Sequence, residues 1–143
     1  MMTPLQPRMT EKQVVALCDQ LATQLGWRVE NYSQSRASMI EEGLPDRRYV
    51  HDGRRLRVWV ELKRPGGKLT AAQHRWLLAE WHTGSLATVC EGLDTFRALL
   101  SLLARDAGRG EALRKCRELI DLTALRGFRD APASRSRSTR RIA

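Results

Sequence analysis

Two carboxylates and an ammonium are closely spaced in the stretch GLPDRRYVHDGRRLRVWVELK, residues 43–63. Asp46 follows a Gly-x-Pro where an extended segment begins, and Glu61 and Lys63 end a run that otherwise reads as core. Carboxylates that converge without a cation repel one another. With Mg²⁺ they make a hard-oxygen site that leaves positions for water and phosphate oxygens. An ammonium beside that site holds a phosphate oxygen or steadies an attacking water. These are the parts needed to hydrolyse a phosphodiester.

Whether the groups meet depends on the hairpin between them. Asp52-Gly53 signals a tight turn. A two-residue loop there pairs His51 with Arg54 and Asp46 with Trp59. Leu56, Val58, Val60 and Leu62 then share one face, and Arg57, Trp59, Glu61 and Lys63 the other. Directly opposed residues lie on the same face, so Asp46 joins Trp59, Glu61 and Lys63, with Glu61 its diagonal neighbour at about 7–8 Å. A three-residue loop or a bulge would reverse the faces. Glu11 precedes Val14 and Cys18 on the helical stripe that faces the core, so it can look toward the sheet from the first turn. Each residue also has a plain reading. Asp46 after Pro45 suits a turn, Glu11 complements a helix N-terminus, and Gln73 is a reciprocal cap for Thr70. The combination carries the signal.

The elements that must position these groups read as follows. Thr10-x-x-Gln13 is a capping box opening a helix, with Val14, Cys18, Leu21 and Leu25 at helical spacing and Gly26 as its stop. Residues 27–31 form a short strand, and the polar stretch 32–42 reads as a loop. Strands at 47–50 and 56–63 make the hairpin. RPGGK (64–68) breaks the second strand, and Thr70-x-x-Gln73 caps a helix running to about residue 82, ended by Gly84. A strand over 86–90 follows, then a helix capped by Asp94 with Phe96, Leu99, Leu100 and Leu103 on one side, and an amphipathic helix over 111–125. The order predicts a mixed α/β sheet with helices packed on it.

The chain has one domain's worth of residues, 143, and 42% of them are hydrophobic, enough for a single core. No apolar run long enough for a membrane span occurs, and residues 1–9 read as a loose leader without the apolar stretch of a secretory signal. Cys18, Cys90 and Cys116 have no metal-ligand spacing and read as buried hydrophobes in a reducing cytoplasm. The net charge of +9 has two sources: residues 46–68 carry +5, residues 131–143 carry +4, and the remainder sums to zero. Two such concentrations suggest a polyanionic partner, most simply nucleic acid. Arg47, Arg48, Arg64 and Lys68 flank the acidic groups, and phosphate contact is a natural role for them.

In Glu11, GLPD (43–46), VELKRPGGKLTAAQ (60–73), Gly84 and the strand after it, the chain resembles the PD-(D/E)XK nuclease superfamily and, within it, the VRR-NUC (virus-type replication-repair nuclease) domains. The resemblance spans about residues 11–103. It implies an αβββαβ restriction-endonuclease-like core over residues 10–106 and a Mg²⁺- or Mn²⁺-dependent nuclease. Asp46 and Glu61 would be metal ligands with the carbonyl of Leu62. Glu11 would reach the metal directly or through water, Lys63 would be the catalytic lysine, and Gln73 would position water or phosphate. A homodimer acting on branched DNA in the cytoplasm fits similar small nucleases. The helical extension at 107–128 and the basic tail at 129–143 lie outside the pattern.

Other constellations are weaker. His74 and His82 stand too far apart on one helix to chelate together, His51 sits at a turn, and neither HExxH nor a Walker spacing occurs. Trp59, Trp76 and Trp81 read as packing residues. The expected function is a metal-dependent, structure-selective DNA endonuclease. Its alternatives are a catalytically idle nucleic-acid-binding module on the same fold and a restriction-type enzyme with sequence preference.

Overall fold

The computed structural model describes residues 8–33, 42–105 and 108–130. Most of the expected leader, most of the expected loop at 32–42 and nearly all of the basic tail lie outside the described residues. The element order is α1 (Glu11–Gln24), β1 (Arg28–Asn31), β2 (Arg47–His51), β3 (Leu56–Lys63), α2 (Ala71–His82), β4 (Ala87–Glu91), α3 (Gly92–Ala104) and α4 (Arg109–Ala124). The strands form one mixed sheet in the order β1-β2-β3-β4. The first three run antiparallel, and β4 returns parallel to β3 after the α2 crossover.

Both helix starts expected from Thr-x-x-Gln form full capping boxes. Thr10 and Thr70 accept from the backbone N–H of Gln13 and Gln73, whose side chains accept from the threonine N–H groups. α3 departs from expectation. It begins at Gly92 after Glu91, and Asp94 lies inside the first turn instead of capping it. The Glu91 carboxylate instead takes the Gly66 N–H and the Arg126 guanidinium, so no side chain caps α3.

Two apolar clusters hold the layers together. One joins Val14, Cys18 and Ala22 of α1 with Tyr49, Val58, Val60 and Leu62 of the sheet and Phe96, Leu99 and Leu100 of α3. The other joins Leu77 of α2 with Ala87 and Val89 of β4, Leu69, and Ile120 of α4. α4 feeds both clusters and packs along β4, the outer strand, which keeps that edge covered. Thr88 Oγ1 and Trp81 Nε1 donate to the α4 carbonyls of Cys116 and Leu113, at 2.8 and 2.7 Å. The apolar face of α4 is therefore occupied within the chain, leaving Leu122 and Leu125 exposed. The three cysteines are buried and free. Among the described residues, no helix is long and apolar enough to cross a membrane.

The hairpin corrects the expected register. His51 pairs with Leu56 and Arg47 with Val60, so the loop holds Asp52, Gly53, Arg54 and Arg55, not Asp52-Gly53 alone. Arg55 takes the left-handed conformation (φ 58°), its N–H donates to the Asp52 carbonyl, and the Arg54 N–H donates to His51 Nδ1. These three features close a four-residue loop. The slip is two residues, and side chains alternate with a period of two, so every residue keeps its expected face.

Gly43 fixes how the chain enters β2. It has φ of +89°, and a Cβ there would lie 2.3 Å from the carbonyl oxygen of Ala72 in the first turn of α2. Only a residue without a side chain permits this approach of backbone to backbone. Gly43→Ala should destabilise the protein by about 1–3 kcal/mol from the backbone conformation alone. Urea unfolding should show a lower midpoint at unchanged slope.

Candidate metal centre

Each residue of the expected site stands at the end of an element. Glu11 is the first residue of α1, Asp46 directly precedes β2, Glu61 and Lys63 end β3, and Gln73 lies in the first turn of α2. The β2–β3 register, continued one step, sets Asp46 directly opposite Glu61 rather than diagonal to it. The Asp46 N–H donates to Glu61 Oε1 at 3.2 Å. One carboxylate oxygen from each of Glu11, Asp46 and Glu61 lies within 4.8 Å of the other two.

Glu61 is almost fully buried and held on both oxygens. Gln73 Nε2 donates to Oε2 at 3.1 Å while Gln73 Oε1 still accepts from the Thr70 N–H at 2.9 Å. The same amide therefore caps the helix and orients the carboxylate. Lys63, with a side chain 1% exposed, places Nζ 3.2 Å from Glu61 Oε2 and 4.0 Å from Glu11 Oε1. The first contact is an ion pair without hydrogen-bond alignment, so Lys63 Nζ keeps its donors unused. Asp46 Oδ2 is likewise buried and has no hydrogen-bond partner among the described residues. Glu11 is the open side of the cluster, its side chain 43% exposed.

The electrostatics follow from this crowding. Burial, then the charge of Asp46, pushes the Glu61 carboxyl up to about 8 against the opposing pull of Lys63. Burial, then Glu11, raises Asp46, while Lys63, the Leu62 N–H and Arg47 pull it down. Both carboxyls are pushed up because burial and their mutual repulsion outweigh the pull of Lys63.

A small hard cation fits this donor set. In octahedral coordination at about 2.1 Å, ligand oxygens lie about 3–4 Å apart, so a slight contraction of the cluster suffices. The unpartnered Asp46 Oδ2 is the atom such an ion would satisfy. Glu11, Asp46 and Glu61 would hold it. The Leu62 carbonyl, expected as a further ligand from the family resemblance alone, belongs to the residue between Glu61 and Lys63.

The four expected phosphate-contacting cations divide into two kinds. Arg64 and Lys68 are exposed and make no ion pair among the described residues. Arg47 is not available to solvent. It is buried, with Nε and Nη2 on Asp19 of α1 at 2.9–3.1 Å and Nη1 on Asn31 Oδ1, Ser33 Oγ and the Asp46 carbonyl. Its place on β2 turns it toward α1, where Tyr49 OH also donates to Asp19 at 2.8 Å. Arg48 is paired to Glu30 at 2.6 Å and lies over the Trp59 ring, 5.1 Å from its centroid. Asp19 was not foreseen. A lone acid on a helix gives no sign of a partner so distant in sequence. Trp59 packs edge-on against Trp76, and His74, His51 and His82 each lie against an aromatic ring, consistent with packing roles.

No family model, no curated protein and no solved structure matches the chain.

Two outcomes follow. Without metal, the folded protein binds more protons than the unfolded chain between about pH 4.5 and about pH 8, because the Glu61 carboxyl is raised. That contribution to stability is present at low pH and lost as the pH rises. The melting temperature of metal-free protein should therefore fall over this range relative to Glu61→Gln, and Mn²⁺ should restore more of it at the alkaline end. Arg47→Met should cost toward the lower end of about 3–5 kcal/mol, since Asp19 keeps some solvent contact. Arg47→Lys should rescue little, because an ammonium lacks the planar fork. Denaturant unfolding measures both.

Proposed function

We propose that the protein is a divalent-metal-dependent nuclease of the PD-(D/E)XK type that resembles the VRR-NUC domains, with Mg²⁺ or Mn²⁺ as its cation. The observation that carries this reading is the meeting of Glu11, Asp46 and Glu61 beside a buried lysine whose ammonium has no aligned acceptor. The element order α1-β1-β2-β3-α2-β4 agrees with the αβββαβ core of a restriction-endonuclease-like fold.

When bound, the cation supplies Lewis acidity toward a phosphate oxygen and lowers the pKa of water. The chain's own residues do the rest. Gln73 and the Asp46 N–H hold the Glu61 carboxylate in one orientation. Lys63 Nζ, dry and with free donors, hydrogen-bonds a non-bridging phosphate oxygen or the attacking water. In hydrolysis the water oxygen joins phosphorus, the ester P–O bond breaks, and the departing oxygen leaves as a hydroxyl after taking up a proton. Arg64 and Lys68, exposed on the loop after β3, contact flanking phosphates. The positive balance of the whole chain favours a nucleic acid as the polyanion, and DNA, in its structure-selective version branched DNA, is what the resemblance implies.

Incubation with supercoiled plasmid and with a four-way junction, with and without Mg²⁺ or Mn²⁺, tests the proposal. Cleavage should require the metal and fall about a hundredfold or more in Lys63→Ala and Asp46→Asn. Binding without metal-dependent cleavage would instead favour an idle nucleic-acid-binding module. Discrete plasmid fragments would favour a sequence-preferring enzyme.

A further inference from the structure

Residues 125–130 follow α4 and return to the connection between β3 and α2. The Arg129 N–H donates to the Leu69 carbonyl at 2.9 Å, and Arg129 forms a parallel bridge with Thr70, the cap of α2. The Phe128 ring lies 4.9 Å from that of His74 near the start of the same helix. Arg126 grips both carboxylate oxygens of Glu91 through Nη1 and Nη2, and Glu91 Oε1 also accepts the Gly66 N–H at 3.0 Å.

Core packing does not explain this return. The last buried residue of α4 is Thr123, and Leu125 and Phe128 remain 82% and 44% exposed. What the segment touches is the stretch that joins Lys63 to Gln73. Residues 64–67 form a turn with Pro65 second and Gly66 third, the latter at φ of +83°, closed by the Gly67 N–H on the Arg64 carbonyl at 2.8 Å. A Cβ at Gly67 would lie 3.1 Å from the Lys63 Cβ, so the turn rests against the stem of the lysine. Two adjacent glycines make this stretch costly to order. Its tip is held by Glu91, and the start of α2 is held by Arg129.

We propose that residues 126–129 are a positioning strap for the candidate metal centre. Arg126, through Glu91, sets the turn that follows Lys63. Arg129, through its backbone N–H, keeps the first turn of α2 closed, and with it the Gln73 amide that orients Glu61. The proposal rests on the nuclease reading and gives the region after α4 a role in that site, beyond the residues that carry the family resemblance. Arg126 and Arg129 act on the centre through Glu91, Thr70 and Gln73. The quantity they control is local opening. The Gln73 N–H donates to Thr70 Oγ1 at 3.1 Å and the His74 N–H to the Thr70 carbonyl at 3.0 Å, and both bonds break when the turn frays.

The test compares the full chain with Arg129→Pro, Arg129→Ala and Arg126→Gln. Proline removes the N–H that Leu69 accepts, whereas alanine keeps it and removes only the charge. Amide hydrogen exchange at Gln73 and His74 reads the turn, the free Mn²⁺ signal in electron paramagnetic resonance reads metal affinity, and steady-state cleavage gives kcat and KM. Arg129→Pro should speed the exchange by about two- to tenfold, the range set by one backbone hydrogen bond. It should also raise the Mn²⁺ dissociation constant by about threefold or more, though less than deletion of the Gln73 side chain itself. Arg126→Gln should weaken Mn²⁺ in the same direction. In both variants kcat should fall with KM little changed, because the strap sets groups at the reacting phosphate. Arg129→Ala should match the full chain throughout. Faster exchange in Arg129→Pro with Mn²⁺ affinity unchanged in both strap variants would overturn the positioning role. Equal losses in Arg129→Pro and Arg129→Ala would overturn it in favour of a charge effect. Should a thermal melt show Arg129→Pro unfolded, Arg126→Gln decides alone, and an unchanged Mn²⁺ affinity there sinks the strap. None of these results touches the nuclease reading, since the full chain still binds metal and cleaves. A full chain that binds no Mn²⁺ would remove that reading and the strap together.

Discussion

The architecture turns on one difficult placement, a carboxylate taken almost fully out of water at the end of a central strand. A buried, unpaired carboxylate is costly enough that it normally takes up a proton or finds partners. Glu61 has partners from three directions: the N–H of Asp46 from β2's entrance, the amide of Gln73 from α2, and the ammonium of Lys63 two residues along its own strand. Two of those partners arrive from other elements, so their elements must be correctly placed for Glu61 to be tolerated. The glycine at 43 is part of the same constraint, because it lets the chain before β2 press against the start of α2.

Much of this was legible in the residues, for identifiable reasons. The capping boxes at Thr10 and Thr70 are local signals, complete within four residues, and both helices begin where those signals stand. The alternation over 56–63 set which side chains share a face, and that held even though the hairpin loop was two residues longer than Asp-Gly suggests. A slip of one would have separated Asp46 from Glu61. The slip of two brought them directly opposite.

What was not legible is long-range or involves competition for one group. Arg47 sits in a basic run and reads as a surface cation, yet it turns toward Asp19 and is buried. Strand alternation decides that direction, and net charge cannot. Glu91 fails to cap α3 because Gly66 and Arg126 take its carboxylate, partners that no local pattern foretells. Gln73 fills the expected capping role and adds one that no local pattern foretells. Its oxygen closes the cap, and its nitrogen holds Glu61.

That shared amide ties the geometry of the acidic cluster to the most easily frayed part of any helix, its opening turn. When the first turn of α2 transiently unwinds, Gln73 loses its hold on Thr70 and on Glu61 in the same event. The carboxylate then regains rotational freedom just as the helix end melts. Conversely, whatever immobilises Glu61 protects that turn from opening. Local breathing of α2 would thus act as a gate on how long the acidic cluster stays assembled.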